Sequence, residues 1–192
     1  MVARPLRFVD RCAHGAHRPS GAPADEPLRD TLKQRLAVVA PNTAEAVRFV
    51  GGWLFDQVME GWDATVFRAD EDDERPLQII GARGGALEQA MAAPPRGARR
   101  QAIAVHTELY HHDPRIRRMV LDALDQRSAA VSLWGDLRTA GGAEPPCSVR
   151  YRLSAAARAF KAQALAAAAV AVGAEDPVER FVHIEPLRFN PI

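Results

Sequence analysis

The stretch RLAVVAPNTAEAVRFV, residues 35–50, places an apolar run directly before a helical pattern. The run RLAVVA, residues 35–40, is almost continuously apolar, which is typical of a strand buried on both faces of a parallel sheet. Asn42 and Glu45 have the spacing of a helix-capping pair, and apolar residues then recur at helical intervals as far as Val58. The stretch therefore predicts a buried strand followed by a helix, which is the first unit of an α/β fold.

The same alternation continues along the chain. Further strands are predicted at 62–69, 77–82, 101–109, 129–135, 148–153 and 179–187, with helices beginning near 84, 113 and 155. Because strands alternate with helices and several strands are apolar throughout, we predict a three-layer, Rossmann-like α/β domain with a mostly parallel sheet. The short acidic link at 70–76 predicts one antiparallel hairpin or edge, formed by the second and third strands.

Composition divides the chain into an arm and one domain. Residues 1–30 are rich in proline, glycine and arginine and lack a clear period, so we predict an irregular or flexible arm. Residues 31–192 are then a single α/β domain. Within it, the alanine-rich helix at 155–172 is expected to cover the sheet or to form a homodimer, and 179–187 is the terminal strand.

The overall charge and the cysteines set the expected environment. A net charge of +1 with 26% charged residues gives no general reason to expect nucleic acid or a membrane as partner. Cys12 and Cys147 do not make a disulfide framework, and the most apolar run, at 164–174, is too short to span a bilayer. We therefore predict a cytoplasmic protein without a membrane partner.

Several well-known motifs do not occur in the sequence. The turn after the first strand, APNTAEA, lacks the glycines of a dinucleotide-binding turn and the lysine of a phosphate loop, so no cofactor is predicted. Cys12, His14 and His17 lie close together, and a fourth zinc ligand would have to come from His183 or Cys147. Because this is weak spacing for a zinc site, no metal is predicted.

Candidate binding residues follow from the rule that ligands of open parallel sheets bind outside the carboxyl ends of the strands. The predicted ligand-binding or anion-binding residues at this rim are Asn42, Thr43, Arg83, Gly84, Gly85, His112 and Asp136. In GARGGAL, residues 81–87, a strand runs into a glycine-rich turn before a helix, which favours anions. Arg83 could add a bidentate contact, although a tight turn alone would also explain the glycines.

The stretch HTELYHHDPRIRR, residues 106–118, supplies the catalytic candidates. His106, Glu108 and His111 could form an acid–base or metal site. The alternative is that Asp113 and Pro114 simply start a helix, with exposed histidines before it. The arginines that follow, together with others such as Arg150 and Arg158, could line a basic face.

Three functions remain open on the sequence alone. The first is a non-enzymatic binding or regulatory domain that binds a protein partner or a small anionic ligand at the strand rim, because no complete catalytic motif is visible. The first alternative is an enzyme acting on a phosphorylated or nucleotide-like substrate. The second alternative is nucleic-acid binding through the arginine-rich face, which the absence of a known nucleic-acid-binding motif makes unlikely.

Overall fold

The computed structural model describes residues 34–70, 72–92, 101–137, 148–170 and 176–184. The elements, in chain order, are β1 (Arg35–Ala40), α1 (Thr43–Met59), β2 (Asp63–Arg68), α2 (Arg75–Ile79), β3 (Arg83–Ala86), α3 (Leu87–Ala92), β4 (Gln101–His106), α4 (Thr107–His112), α5 (Pro114–Asp125), β5 (Ala129–Trp134), β6 (Ser148–Arg152), α6 (Ala155–Ala167) and β7 (Val178–Ile184). The predicted arm, residues 1–30, lies outside the described residues, so its character stays a prediction.

The strands form one mostly parallel sheet. Their order is β3-β2-β1-β4-β5-β7-β6. Strands β1 to β5 are all parallel to one another, whereas β7 runs antiparallel to both β5 and β6. With helices on both faces, this confirms the predicted three-layer α/β class. None of the helices that the structure describes is long and apolar enough to cross a membrane.

Side chains of the sheet alternate between two cores. On one face Val38, Val66 and Phe181 are fully buried beneath α1 and α6. On the other face, Val105 and Val131 pack against α5. This alternation matters for the site, because it places His106 and Trp134, which end β4 and β5, on the face covered by α1.

The predicted hairpin of the second and third strands is wrong. Residues 77–82 were expected to be a strand, but α2 begins at Arg75 and carries Pro76 at its start, where proline fits a helix best. Leu77 and Ile80, three residues apart, bury one helical face. The third strand is instead Arg83–Ala86 and is parallel to β2. The antiparallel edge of the sheet is the β7–β6 pair.

The helix starts expected from the sequence are observed. Asn42, Asp113 and Ser154 each accept a backbone N–H at the start of α1, α5 and α6, at 2.8, 2.8 and 3.0 Å. The end of α6 was placed too late, because the helix stops at Ala167 and Ala169 adopts a positive φ of 54°. The terminal strand ends at Ile184, and residues 185–187 lie outside the described ranges.

Close packing of α1 on the start of α6 gives a first testable expectation. A Cβ added at Gly52 would lie 2.6 Å from both methyl carbons of Leu153, whereas at the adjacent Gly51 the nearest atom would be 3.2 Å away. We expect Gly52→Ala to lower the free energy of unfolding by about 1–3 kcal/mol through overpacking. Gly51→Ala is the control and should be neutral or stabilising by up to about 1 kcal/mol. Urea denaturation of both variants measures this, and equal stabilities would contradict it.

Candidate functional site

The order in which successive strands are added to the sheet reverses between the parallel strands β1 and β4. Strands β2 and β3 extend the sheet from one side of β1, while β4 and β5 extend it from the other. In parallel α/β sheets, such a switch point leaves a crevice at the carboxyl ends of the strands, where ligands bind. In this chain the rule selects the position between the turn after Ala40 and the end of β4, which is His106.

His106 is enclosed by aromatic rings at this switch point. Its side chain is 4% exposed. The ring meets Trp134 edge-on at 4.7 Å between centroids and Phe49 of α1 at 6.4 Å. A Cβ at Gly135 would lie 2.6 Å from Nε2 of His106, so a glycine is required for the chain to leave β5 beside this ring. The imidazole therefore has a fixed position at the edge of the sheet.

The electrostatics of His106 favour a neutral imidazole. Burial lowers the pKa of His106 below its ordinary value of 6.5, while the carboxylates of Glu108 and Glu45 act in the opposite direction. No described group forms a hydrogen bond with its Nδ1, although that atom is buried. A neutral, buried imidazole beside two carboxylates is able to accept a proton at neutral pH.

The start of α1 is occupied by a carboxylate of the chain itself. Asp72 accepts the backbone N–H of Thr43 at 2.7 Å and the Thr43 hydroxyl at 2.6 Å. Asn42 caps the next free N–H, that of Glu45. Asn42 and Thr43, predicted to bind an external anion, thus have their groups engaged within the chain, and an anionic ligand would have to displace Asp72.

Arg68, the last residue of β2, anchors that carboxylate. Its side chain is 5% exposed and donates from Nη1 to the Asp72 carboxylate at 2.8 Å and from Nη2 to Glu74 at 2.6 Å. Nη1 also reaches the Thr43 hydroxyl at 3.2 Å. The acidic link after β2 therefore surrounds a buried guanidinium.

We expect loss of the Asp72 carboxylate to destabilise the fold. Asp72→Ala removes the carboxylate that accepts from Arg68 and from both donors of Thr43, although Arg68 keeps its bond to the main-chain oxygen of residue 72. Hydrogen bonds to charged groups contribute about 1.5–3 kcal/mol each. The predicted loss in the free energy of unfolding is about 2–3 kcal/mol. Asp70→Ala removes an equal charge from the same turn at an exposed position and should change stability by less than about 0.5 kcal/mol. Equal effects of the two variants in chemical denaturation would contradict this role.

The glycines of the predicted anion-binding turn lie in a strand. Gly84 and Gly85 belong to β3, and a Cβ at Gly84 would lie 2.5 Å from a carboxylate oxygen of Glu74. At Gly85 it would lie 3.0 Å from the ring of Phe67. The turn interpretation is therefore wrong, because these glycines make room for neighbouring side chains, one of them negatively charged.

Arg83 lies at the opposite edge of the sheet from the rim. It begins β3 and forms an ion pair with Asp63, the first residue of β2. A cleft of about 360 Å³ lies there, at the amino ends of the first three strands. Three strand spacings across and three residues along separate Arg83 from His106, or about 17 Å. The two residues thus do not share one site.

The other predicted residues fall near the rim. Residues 107–112 form α4 rather than the end of a strand. Glu108, His111 and His112 are exposed on this short helix, and Asp136 is exposed two residues after β5. Of the set, only Glu108 is close enough to affect His106 electrostatically.

The arginines after residue 113 make contacts within the chain. Arg115 bonds to both Glu88 and Asp113, and this raises the pKa of Arg115. Arg117 donates to the carbonyl oxygens of Tyr110 and His111. These two side chains therefore tie α5 to neighbouring segments.

No metal cluster is present in the part of the chain that the structure describes, where no three His, Cys, Asp or Glu side chains converge. His183 instead forms a hydrogen bond with Ser132 at 3.0 Å. Cys12, His14, His17 and Cys147 lie outside the described residues, so the suggested zinc ligands stay a prediction.

Sequence reasoning missed Arg68 and Asp72. The signal was available, because Ala64, Val66 and Arg68 alternate on the buried face of β2. An arginine at a buried strand position requires carboxylate partners. Five of the seven residues after Ala69 are acidic, beginning at Asp70, so partners were available in the sequence.

Comparison with known proteins gives similarities to solved structures alone. No protein-family model matches the chain, and no curated protein matches its sequence. A triple mutant of a deacetylase of teicoplanin biosynthesis is similar at 15% identity and a TM-score of 0.48, over 69% of this chain and 80% of that one. The zinc-inhibited form of teicoplanin deacetylase is similar at 15% identity and a TM-score of 0.46, over 69% of this chain and 82% of that one. The A40926 pseudoaglycone deacetylase is similar at 19% identity and a TM-score of 0.43, over 69% of this chain and 80% of that one.

These comparisons correct the first function inferred from the sequence. All three proteins are named as deacetylases, which are enzymes, whereas a non-enzymatic binding or regulatory domain was expected. That expectation rested on the lack of a contiguous catalytic motif, and acid–base groups on separate strands need none. With TM-scores below 0.5, the similarities assign no substrate, metal or mechanism to this chain.

Proposed function

We propose that the chain is a hydrolytic enzyme that acts at the carboxyl edge between β1 and β4, with His106 as the proton-accepting group. The observation that carries the proposal is the position of this imidazole. It ends β4 at the switch point of the sheet, it is buried, and its Nδ1 is free of any described partner. A structural histidine buried to this extent normally has its ring nitrogens bonded.

The surroundings of His106 suit a general base. The lowered pKa keeps the imidazole unprotonated at neutral pH, so that it can accept a proton from an attacking hydroxyl or water. The carboxylates of Glu45 and Glu108 then stabilise the imidazolium that forms. This arrangement provides acid–base catalysis without requiring a nucleophilic serine or cysteine.

The charges around the crevice favour an uncharged or cationic substrate. Arg68, the buried cation of this rim, is neutralised by Asp72 and Glu74. Arg48 lies near Glu45, with 3.7 Å between the charged atoms. A phosphorylated or nucleotide-like substrate, expected for an enzyme from the sequence, would therefore meet carboxylates where it needs donors, and we propose a neutral acyl compound instead.

The proposal is tested by supplying substrates to the full-length protein in water enriched in ¹⁸O. The panel contains neutral amides, neutral esters and phosphate monoesters. We expect ¹⁸O to enter the acid product of at least one neutral class. Folded protein that hydrolyses none of them would overturn the proposal, and hydrolysis of phosphate monoesters alone would overturn the proposed substrate charge.

A further inference from the structure

Two neighbouring buried polar atoms at the rim have no described hydrogen-bond partner. They are Nδ1 of His106 and Nε1 of Trp134. The two residues are direct neighbours in the register of β4 and β5, and their rings meet edge-on with centroids 4.7 Å apart. Both residues are at least 96% buried, with relative exposures of 4% and 0%. Two such atoms on neighbouring residues require a chemical explanation, because buried polar groups are nearly always bonded.

The hydrogen-bonding capacities of the two atoms are complementary to one water molecule. Indole Nε1 can only donate a hydrogen bond. A neutral imidazole with its proton on Nε2 presents Nδ1 as an acceptor. A water oxygen can accept from the indole while one of its hydrogens is donated to Nδ1. Two protein partners meet the usual requirement for a buried water.

We propose that His106 and Trp134 together hold one water molecule at the rim, and that Trp134 is a positioning residue which orients this water for deprotonation by His106. The catalytic part rests on the proposed function. In the hydrolytic step, the water oxygen forms the new bond to the substrate carbonyl carbon while its proton moves to Nδ1. The resulting imidazolium, flanked by Glu45 and Glu108, returns that proton to the leaving group when the bond to it breaks.

The molecule contains its own control for this inference. Trp53 is also buried, 4% exposed, and its Nε1 likewise has no described partner. Its ring packs against Phe181 with centroids 4.8 Å apart. A general property of buried indoles would affect both tryptophans equally, whereas a water site shared with His106 affects Trp134 alone.

The test is nuclear magnetic resonance of the wild-type protein with ¹⁵N-labelled tryptophan and histidine. We expect a nuclear Overhauser cross-peak between the Trp134 indole proton and a long-lived water molecule, one that does not arise from hydrogen exchange. The Trp53 indole proton should show none. Trp134→Phe keeps an aromatic ring but removes the donor, so the water is held less firmly and donates less to Nδ1. The pKa of His106 should then rise, while Trp53→Phe leaves it unchanged.

Absence of the Trp134 water cross-peak would overturn the water site. A cross-peak combined with an unchanged His106 pKa in folded Trp134→Phe would overturn the shared bond to Nδ1. Neither measurement depends on turnover. A wild-type protein that shows both signals but hydrolyses nothing in the ¹⁸O panel would therefore refute the proposed function and leave the water site standing.

Discussion

Replacing Lys161 with methionine is expected to lower the free energy of unfolding by about 3–5 kcal/mol, the loss typical of breaking a buried ion pair from one side. Nζ of Lys161 lies 2.8 Å from the carboxylate of Glu179, and the two side chains are 6% and 2% exposed. The same carboxylate accepts the backbone N–H groups of Gly52 and Trp53 at 3.0 and 2.8 Å. The pair thus joins α6, β7 and the middle of α1. Without Lys161, the carboxylate of Glu179 is left in the core without its cation.

The control for this prediction removes both charges. In Lys161→Met/Glu179→Gln, the amide oxygen still accepts from α1 and no buried charge is left, so much of the lost stability should return. Burial raises the pKa of Glu179, and Lys161 acts in the opposite direction. The single variant should therefore be least destabilised in acid, where Glu179 is protonated. A loss below about 1 kcal/mol at neutral pH would show that the pair is not a stabilising contact.

Replacing His106 with asparagine is expected to lower kcat/KM by about 10²–10⁴-fold on any substrate that the wild type hydrolyses, which is the usual contribution of a general base. Asparagine keeps a polar side chain of similar reach but accepts no proton at neutral pH. Because His106 is buried, unfolding curves of the variant must accompany the rates. A folded variant with wild-type kcat/KM would show that His106 is not the general base.

A matched histidine variant separates this effect from a change in surface charge. His112→Asn makes the same substitution six residues later, on the exposed end of α4. It should leave kcat/KM within about twofold of the wild type, since His112 is exposed and does not contribute to the electrostatics of His106. A comparable loss in both variants would mean that α4 as a whole, and not the His106 imidazole, is responsible.

Much of the fold could be predicted because local patterns and tertiary structure agree. The run at 35–40, the Asn42 cap and the Asp113-Pro114 start each correspond to the observed element. The largest errors occur between residues 70 and 87, where short segments carry little periodic signal; smaller ones are the strand expected to continue to 109, which ends at His106, and the end of α6. Between residues 70 and 87 the acidic turn was interpreted without the buried Arg68 that it surrounds, and the five-residue helix α2 was predicted to be a strand.

The candidate site was only partly predictable. The rule on strand ends placed His106 and Glu108 at the rim, because it needs strand order and direction alone. Two features depend on strand register, which the sequence alone does not determine. They are the bond of Asp72 to the start of α1 and the position of Arg83 away from the rim. Trp134 becomes informative only when it is seen beside His106 in the neighbouring strand.

The pH dependence of kcat/KM, measured beside the titration of His106 by magnetic resonance, tests the central claim most directly. A general base is active above its pKa, and the rate falls tenfold per pH unit below it. Since burial lowers the pKa of His106, activity should persist below pH 6.5 and decline at the pKa found for that imidazole. Agreement of the two values is the expected result. A rate that stays level while His106 becomes protonated would contradict the account.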